Sequence, residues 1–431
     1  MIMGGRKMSA FDKVIGYEAI KTELRQICDV IQNRRMYEEL GARLPHGLLL
    51  YGKPGLGKTL IAKCFIEESG LCAYTIRRDK GGDGFISDIT ETFQKAKETA
   101  PCIIFLDDMD KFANDDYVHC DAEEYVAVQS GIDEVKDSGV FVLATVNDKR
   151  RLPDSLVRSG RFDRKIEVLP PSNKDAEEII AYYLSDKKIA ESVNMDDLAK
   201  MITYHSCAEL ETILNEAAIY AAYNRRPSIE MNDLVKAVLR TQHNLPDSYT
   251  KTSKEYAKKT ALHEAGHLVV SEVLCPGVVG LAALRPADGT PRGFIHNCED
   301  LSRKPYYILV SLAGKAAVEL YYSKYCADGC RDDIKCAFTI IRNGISEEAM
   351  LGFGSLRVET RDLSYSENFN ARNEAVTHAE LERYMLMTRD ILLKNRVFLE
   401  KTAEALLEKG TLLHSDIKAI RDSVTIVEVD V

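Results

Sequence analysis

No apolar run in this chain approaches the ~18–20 residues needed to cross a bilayer as a helix. The opening residues, MIMGGRKMSAFDKV, carry basic side chains but no apolar h-region, which excludes a secretory signal there. The 11 cysteines are odd in number and scattered. That pattern, without tight pairing, reads as reduced thiols in a cytosol-like compartment. Only Cys326, Cys330 and Cys336 cluster, and their spacing fits no zinc ribbon, so they are read as small core residues. Internal repeats and low-complexity tracts are absent. A formal net charge of -10 excludes a chain that is, as a whole, an electrostatic nucleic-acid binder.

What is present is an ordinary globular composition, 45% hydrophobic and 29% charged over 431 residues. At ~150 residues per domain that length predicts about three folding units. GLLLYG (47–52), CAYTI (72–76), CIIFLD (102–107) and VFVLATV (140–146) read as strands with helical patterns between them. Strands alternating with helices predict a parallel sheet covered on both faces. VLPPSN (168–173) breaks the pattern, and nearly everything from Lys174 to Thr241 reads as helix. The polar stretch TQHNLPDSYTKTS (241–253) reads as a linker. The remainder is mostly helical, with a short strand-like section around 278–296.

GKPGLGKT (52–59) follows a strand, opens a helix and satisfies G-x-x-x-x-G-K-[ST]. Glycines let such a loop curl so that its N–H groups meet phosphate oxygens. The predicted nucleotide contacts are Gly52, Pro54, Gly55, Leu56, Gly57, Lys58, Thr59 and Leu60. Lys58 supplies charge near the β- and γ-phosphates, and Thr59 offers a hydroxyl to magnesium. In PCIIFLDDMDKF (101–112), an apolar strand delivers acids to the same place. Asp107 is expected on magnesium, Asp108 on the attacking water, and Asp110 in a local hydrogen bond or salt bridge. Asn147 ends the next strand, where an amide can hold the water or the γ-phosphate. LVRSGRFDR (156–164) then places Arg158 and Arg161 three residues apart, two rigid forks suited to phosphate oxygens.

LHEAGHLVV (262–270) contains H-E-x-x-H. On a helix His263 and His267 share a face, so both imidazoles can reach one zinc ion, with Glu264 beside it as general base. A catalytic zinc needs a third protein ligand. The glycine–histidine continuation of the metzincins is missing. His296 in RGFIHN is one candidate, and the acids Asp328, Asp332 and Asp333 at the start of ADGCRDDIKCAFTIIRNG (327–344) are others.

GKPGLGKT, IIFLDDMD, ATVN and RSGRFDR resemble the AAA+ ATPase module. Followed by HEAGH and a G-x-x-D-D-I helix, they resemble the FtsH-type ATP-dependent zinc metalloproteases over nearly the whole chain, from DKVIG through SLAGKAAVELYY (311–322) to the last helices. The resemblance implies an α/β P-loop AAA+ module, a parallel sheet plus a small helical lid domain, followed by a mainly α-helical zinc metallopeptidase domain. The expected boundaries are 1–170, 171–245 and 246–431. It also implies that Asn147 is sensor 1 and that Arg158 and Arg161 are fingers reaching a neighbouring subunit, hence a homo-oligomeric ring, usually a hexamer. FDKVIGYEAIKTEL (11–24) is similar to the segment near the adenine, and SCAELETILNEAAIYAA (206–222) to the lid helix. The third ligand maps to Asp333, with Asp332 where the family often has asparagine. Zn2+, ATP and Mg2+ are the implied cofactors and proteins or peptides the implied substrates, with no nucleic acid.

Three departures from that family stand out. FtsH proteins usually begin with transmembrane helices, and this chain has none, so the expectation is a soluble, cytoplasmic form or else a chain from which the membrane anchor is missing. The pore loop, expected to carry an aromatic near Gly81, reads DKGGDGFIS (79–87), and Phe85 is its only aromatic. Glycines there imply little grip and weak or altered threading, unless Phe85 acts in a shifted register. Asp108 stands in place of glutamate, so ATP binding is expected to survive while hydrolysis slows. The resulting expectation is an ATP-dependent zinc endopeptidase. One alternative is a zinc peptidase whose weak ATPase only gates the ring, acting on loosely folded proteins. The other is a nucleotide-binding scaffold or remodelling ATPase with an idle peptidase domain.

Overall fold

The computed structural model describes residues 9–78, 84–113, 122–158, 160–203, 205–243, 254–287, 290–322, 329–352, 355–356 and 367–429. The chain forms two compact units, Met1–Lys187 with Tyr204–Asn215, and Lys188–Thr203 with Glu216–Val431. Gly81 of the expected pore loop and Asp328 lie outside the described residues. Among the described residues, no helix is long and apolar enough to cross a membrane.

The first unit runs through α1 (Glu18–Gln32), α2 (Arg34–Glu39), β1 (Gly47–Tyr51), α3 (Lys58–Ser69), β2 (Cys72–Ile76) and α4 (Phe85–Glu98). It continues with β3 (Cys102–Leu106), α5 (Ala122–Glu134), β4 (Val140–Val146), α6 (Asp154–Val157), β5 (Arg164–Glu167) and α7 (Asn173–Leu184). The five strands make one parallel sheet in the order β2-β3-β4-β1-β5. Every residue of β3 and β4 is buried, as expected for central strands covered on both faces. The four strands expected from the sequence are present. The fifth, β5, begins inside the stretch read as an arginine loop and buries only Ile166, which leaves it almost no apolar signal. The strand order sets the carboxyl end of β1 beside that of β4, and β4 beside β3. Ligands of open α/β sheets bind at such carboxyl ends.

Phe85 opens α4 and stacks edge-on against Phe112, with ring centroids 5.4 Å apart. The only aromatic of the expected pore loop is thus packed on the core of its own unit.

The second unit contains α8 (Met195–Ile202), the end of α9 (Cys207–Tyr223), α10 (Met231–His243) and α11 (Lys254–Leu274). A hairpin follows, β6 (Val279–Ala287) and β7 (Thr290–Asn297), then α12 (Lys304–Tyr321), α13 (Arg331–Glu347), α14 (Glu367–Lys394) and α15 (Arg396–Lys409). The chain closes with β8 (Thr411–Leu413) and α16 (His414–Asp422). An antiparallel sheet in the order β7-β6-β8 leaves β7 at an edge. The core is built on α11, buried continuously from Glu264 to Val273, with Leu309, Leu312 and Ala316 of α12, Ile341 of α13 and Leu399 of α15 packed in one cluster with it.

Candidate active sites in each unit

In the first unit, the loop after β1 turns into α3 at Gly57, whose φ of 80° lies in the left-handed region that glycine adopts without strain. Lys58 is buried, and its Nζ donates to the carbonyl oxygens of Gly52 and Lys53 at 2.7 and 2.8 Å and to Asn147 Oδ1 at 2.9 Å. Burial lowers the affinity of its amine for the proton, and the charges of Asp108, Asp110 and Asp107 oppose that shift. Leu56 is buried, whereas Pro54 and Leu60 are exposed. The N–H of Ala208, at the start of α9, donates to Gly55 O at 3.2 Å, which brings the predicted lid helix onto the loop.

Asp107 is buried at the end of β3, where its Oδ1 accepts from Thr59 Oγ1 at 2.9 Å and from Thr145 Oγ1 at 2.7 Å. The Asp108 N–H donates to the same Thr145 hydroxyl at 2.9 Å. Asp108 takes a φ of 53°, tolerable for a short carboxylate side chain. Its Oδ1 accepts from Asn147 Nδ2 at 3.4 Å and its Oδ2 from Lys111 Nζ at 2.6 Å. Asn147 therefore spans Lys58 and Asp108. Asp110 is buried in the 3-10 turn Met109–Lys111. Thr145 and Lys111 were not among the predicted site residues. Thr145 had a signal, a polar residue inside an otherwise apolar strand; Lys111 had none.

The two arginines sit in unlike environments. Arg158 is exposed. Arg161 is buried, clamped on Asp133 by Nε–H at 3.0 Å and Nη2–H at 2.7 Å, and it also donates to the carbonyl of Ser155. That pairing holds the Asp133 carboxyl below its ordinary range. Arg161 thus ties α5 to the loop before β5, whereas Arg158 is exposed on that loop.

In the second unit, one turn of α11 separates His263 from His267, and their Nε2 atoms lie 3.1 Å apart. Asp333, in the first turn of α13, brings Oδ2 to 3.2 Å from His263 Nε2 and 3.5 Å from His267 Nε2. One ligand atom from each of the three falls within 4.8 Å of the others, and among the described residues this is the group that could hold a metal ion. Asp332 is exposed beside it, and His296, on β7, is not in the group. Two imidazoles and one carboxylate suit zinc with a position left open.

His267 Nδ1 donates to Val310 O at 2.6 Å, which fixes its tautomer and leaves Nε2 for the metal. Burial lowers the proton affinity of His267, but the Asp333 hydrogen bond and the charges of Glu264 and Asp333 raise it further. Burial pushes the Asp333 carboxyl up, and the two histidines more than reverse this, leaving it well below the usual range. Glu264 is buried, and desolvation raises it against the opposing effect of the histidines. A cavity of about 940 Å³ opens onto these groups, with Phe294 and Ile295 of β7 and Tyr307 of α12 along its wall.

Sequence reasoning missed Gly314, on α12. A β-carbon there would lie 2.4 Å from His263 Cε1 and 2.5 Å from His267 Nε2, so only glycine lets α12 press on both rings. Of the clustered cysteines read as core residues, Cys330 is buried but Cys336 is exposed, because α13 turns that side chain to solvent; Cys326 lies outside the described residues. The described cysteines are free thiols.

Comparison with known proteins matches residues 48–169 to the family described as ATPase family associated with various cellular activities (AAA). Over 453 residues the chain is 30% identical to the ATP-dependent zinc metalloprotease FtsH 3 of Symbiobacterium thermophilum, covering 96% of this chain and 71% of that protein. It is 31% identical to the ATP-dependent zinc metalloprotease FtsH of Thermus thermophilus, covering 95% of this chain and 70% of the relative. With the protein of the same description from Leptotrichia buccalis the identity is 32%, over 95% of this chain and 56% of the relative. The chain thus spans between 56% and 71% of the length of these three relatives.

Proposed function

The chain belongs to the FtsH family of ATP-dependent zinc metalloproteases, and on that premise we propose that His263, His267 and Asp333 hold its zinc, with Glu264 as general base. Its chemistry is ATP-driven cleavage of peptide bonds, with Zn2+, ATP and Mg2+ as cofactors. The kinship favours this over a gating-only ATPase or an idle peptidase domain. The observation that carries the site assignment is the convergence of the two imidazoles and the Asp333 carboxylate within 4.8 Å, with Glu264 buried on the same helix turn.

Zinc, when bound, supplies Lewis acidity that polarises a peptide carbonyl and acidifies water. Glu264 takes the proton from the attacking water and returns it to the leaving amine. Its burial raises its basicity toward that task. The edge of β7 beside the cavity takes an extended peptide by main-chain hydrogen bonds.

In the first unit the proposed nucleotide contacts are Gly52, Pro54, Gly55, Leu56, Gly57, Lys58, Thr59 and Leu60, with Asn147 at the γ-phosphate. Lys58 exchanges its carbonyl partners for phosphate oxygens, Thr59 and Asp107 meet magnesium, and Asp108 aims the water. Arg158 serves a neighbouring copy in a ring of six, while Arg161 keeps the loop in place. In this reading residues 1–170 bind nucleotide, 171–245 form the helical lid domain and 246–431 carry the peptidase.

Casein digestion and ATP turnover by wild type, Glu264→Gln and Lys58→Ala test the proposal. Glu264→Gln should keep ATP turnover and lose digestion; Lys58→Ala should lose ATP turnover. A zinc-loaded wild type that cuts nothing, or a Glu264→Gln that cuts normally, overturns the peptidase assignment. Wild-type casein digestion by Lys58→Ala would restrict the motor to folded substrates.

A further inference from the structure

Two histidines face the proposed metal position, and their outer partners differ. His267 Nδ1 donates to a main-chain carbonyl, Val310 O, at 2.6 Å. His263 Nδ1 instead meets the sulfur of Cys330 at 3.8 Å. Cys330 is 1% exposed and occupies the N-cap position of α13, the helix whose first turn carries Asp333. The helix start therefore brings a carboxylate to one nitrogen of His263 and a thiol to the other. The same ring is also approached by α12 at Gly314, where a β-carbon would lie 2.5 Å from Nδ1. Both α12 and the start of α13 thus come close to the His263 ring at Nδ1.

A neutral imidazole that offers Nε2 to a metal carries its proton on Nδ1 and needs an acceptor there. We propose that Cys330 is a positioning residue for the zinc site: its sulfur accepts the His263 Nδ1–H and keeps Nε2 turned toward the metal. This rests on the reading that His263, His267 and Asp333 hold zinc. It changes the sense of a residue that composition and spacing make a small core cysteine. A thiol sulfur is a weaker acceptor than a carbonyl, so His263 is the less firmly held of the two imidazoles. A residue that only fills space and one that accepts a hydrogen bond respond differently to substitution. Alanine and serine are close in size, and only serine can take the Nδ1–H.

The test is zinc affinity of the full chain, measured by competition with a chromophoric zinc chelator, for wild type, Cys330→Ala, Cys330→Ser and His263→Ala. Cys330→Ala should bind zinc on the order of 10-fold more weakly, and Cys330→Ser should recover to within about threefold of wild type. Equal affinities for Cys330→Ala and wild type, or an equal loss in both Cys330 variants, overturn the proposal while leaving the zinc site standing. If His263→Ala binds zinc as wild type does, the zinc reading fails and the proposal with it. Cobalt substitution separates a partner from a ligand. The wild-type spectrum should lack an intense thiolate-to-cobalt band, and its presence would make Cys330 a metal ligand and overturn the positioning role.

Discussion

Gly293 on β7 lies against Glu264 on α11 so closely that a β-carbon on the glycine would fall 2.2 Å from Glu264 Cγ and 2.6 Å from Oε1. The sheet edge that borders the cavity thus also fixes where the proposed base stands. Gly293→Ala must displace the carboxylate or the strand. A shift of about 1 Å in a catalytic group can cost ~10²-fold in rate. Peptidase turnover should fall by about that factor, while zinc content and ATP turnover stay at wild-type levels. Undiminished casein cleavage by Gly293→Ala would mean that β7 does not set the position of Glu264.

Much of this was legible in the sequence because the signals are local. A strand, a glycine-rich turn and a helix follow one another within residues 47–69, and H-E-x-x-H needs only one helical turn. What stayed hidden depends on neighbours distant in sequence. From Glu264 to Val273 the helix α11 is buried on every side, so that part has no apolar stripe to reveal it, and its motif does so instead. Gly314 and Gly293 matter because their backbone approaches a side chain of the proposed zinc site, and nothing adjacent in sequence announces that. Arg161 and Asp133 lie 28 residues apart, so the hydrogen-bonded clamp between them could not be read from RSGRFDR. The edge strand β5 sets three charged residues around a single buried isoleucine, so no apolar pattern marks it in the sequence.

Asp333 and Asp332 provide a test that does not depend on activity. Asp333 reaches both imidazoles, while Asp332 is exposed on the adjacent position of the same turn. Asp333→Asn should lower zinc content after dialysis against a weak chelator, and Asp332→Asn should retain the full complement. The opposite pattern would place the ligand one residue earlier.

The contrast between Arg158 and Arg161 separates stability from catalysis. Arg161 is buried, with a two-point hydrogen bond to Asp133 and a third to a main-chain carbonyl. Hydrogen bonds to a charged group contribute about 1.5–3 kcal/mol, so Arg161→Ala should lose roughly 2 kcal/mol of stability and show a lower thermal midpoint. Arg158→Ala should leave the midpoint unchanged and suppress ATP turnover at protein concentrations where rings assemble. Equal midpoints for both variants would show that the clamp on Asp133 contributes nothing. Normal turnover in Arg158→Ala would remove the case for a finger at that position.

Asp108 is held at three points: its N–H on Thr145, its Oδ1 on Asn147 and its Oδ2 on Lys111. Its left-handed backbone, at φ 53°, costs a longer side chain about 1–2 kcal/mol more than glycine would face, and aspartate is among the residues that bear it best. The short side chain is therefore matched to its setting, and adding a methylene both strains the backbone and breaks the fit to Lys111. Asp108→Glu should leave ATP turnover unchanged or lower, and Asp108→Asn should abolish turnover while nucleotide binding by Lys58, Thr59 and Asp107 persists. Steady-state phosphate release with parallel equilibrium binding of a fluorescent ATP analogue measures both. A tenfold or greater rise in Asp108→Glu would mean that reach to the water, not backbone fit, limits hydrolysis, and that the clamp by Lys111 holds the carboxylate short of its target.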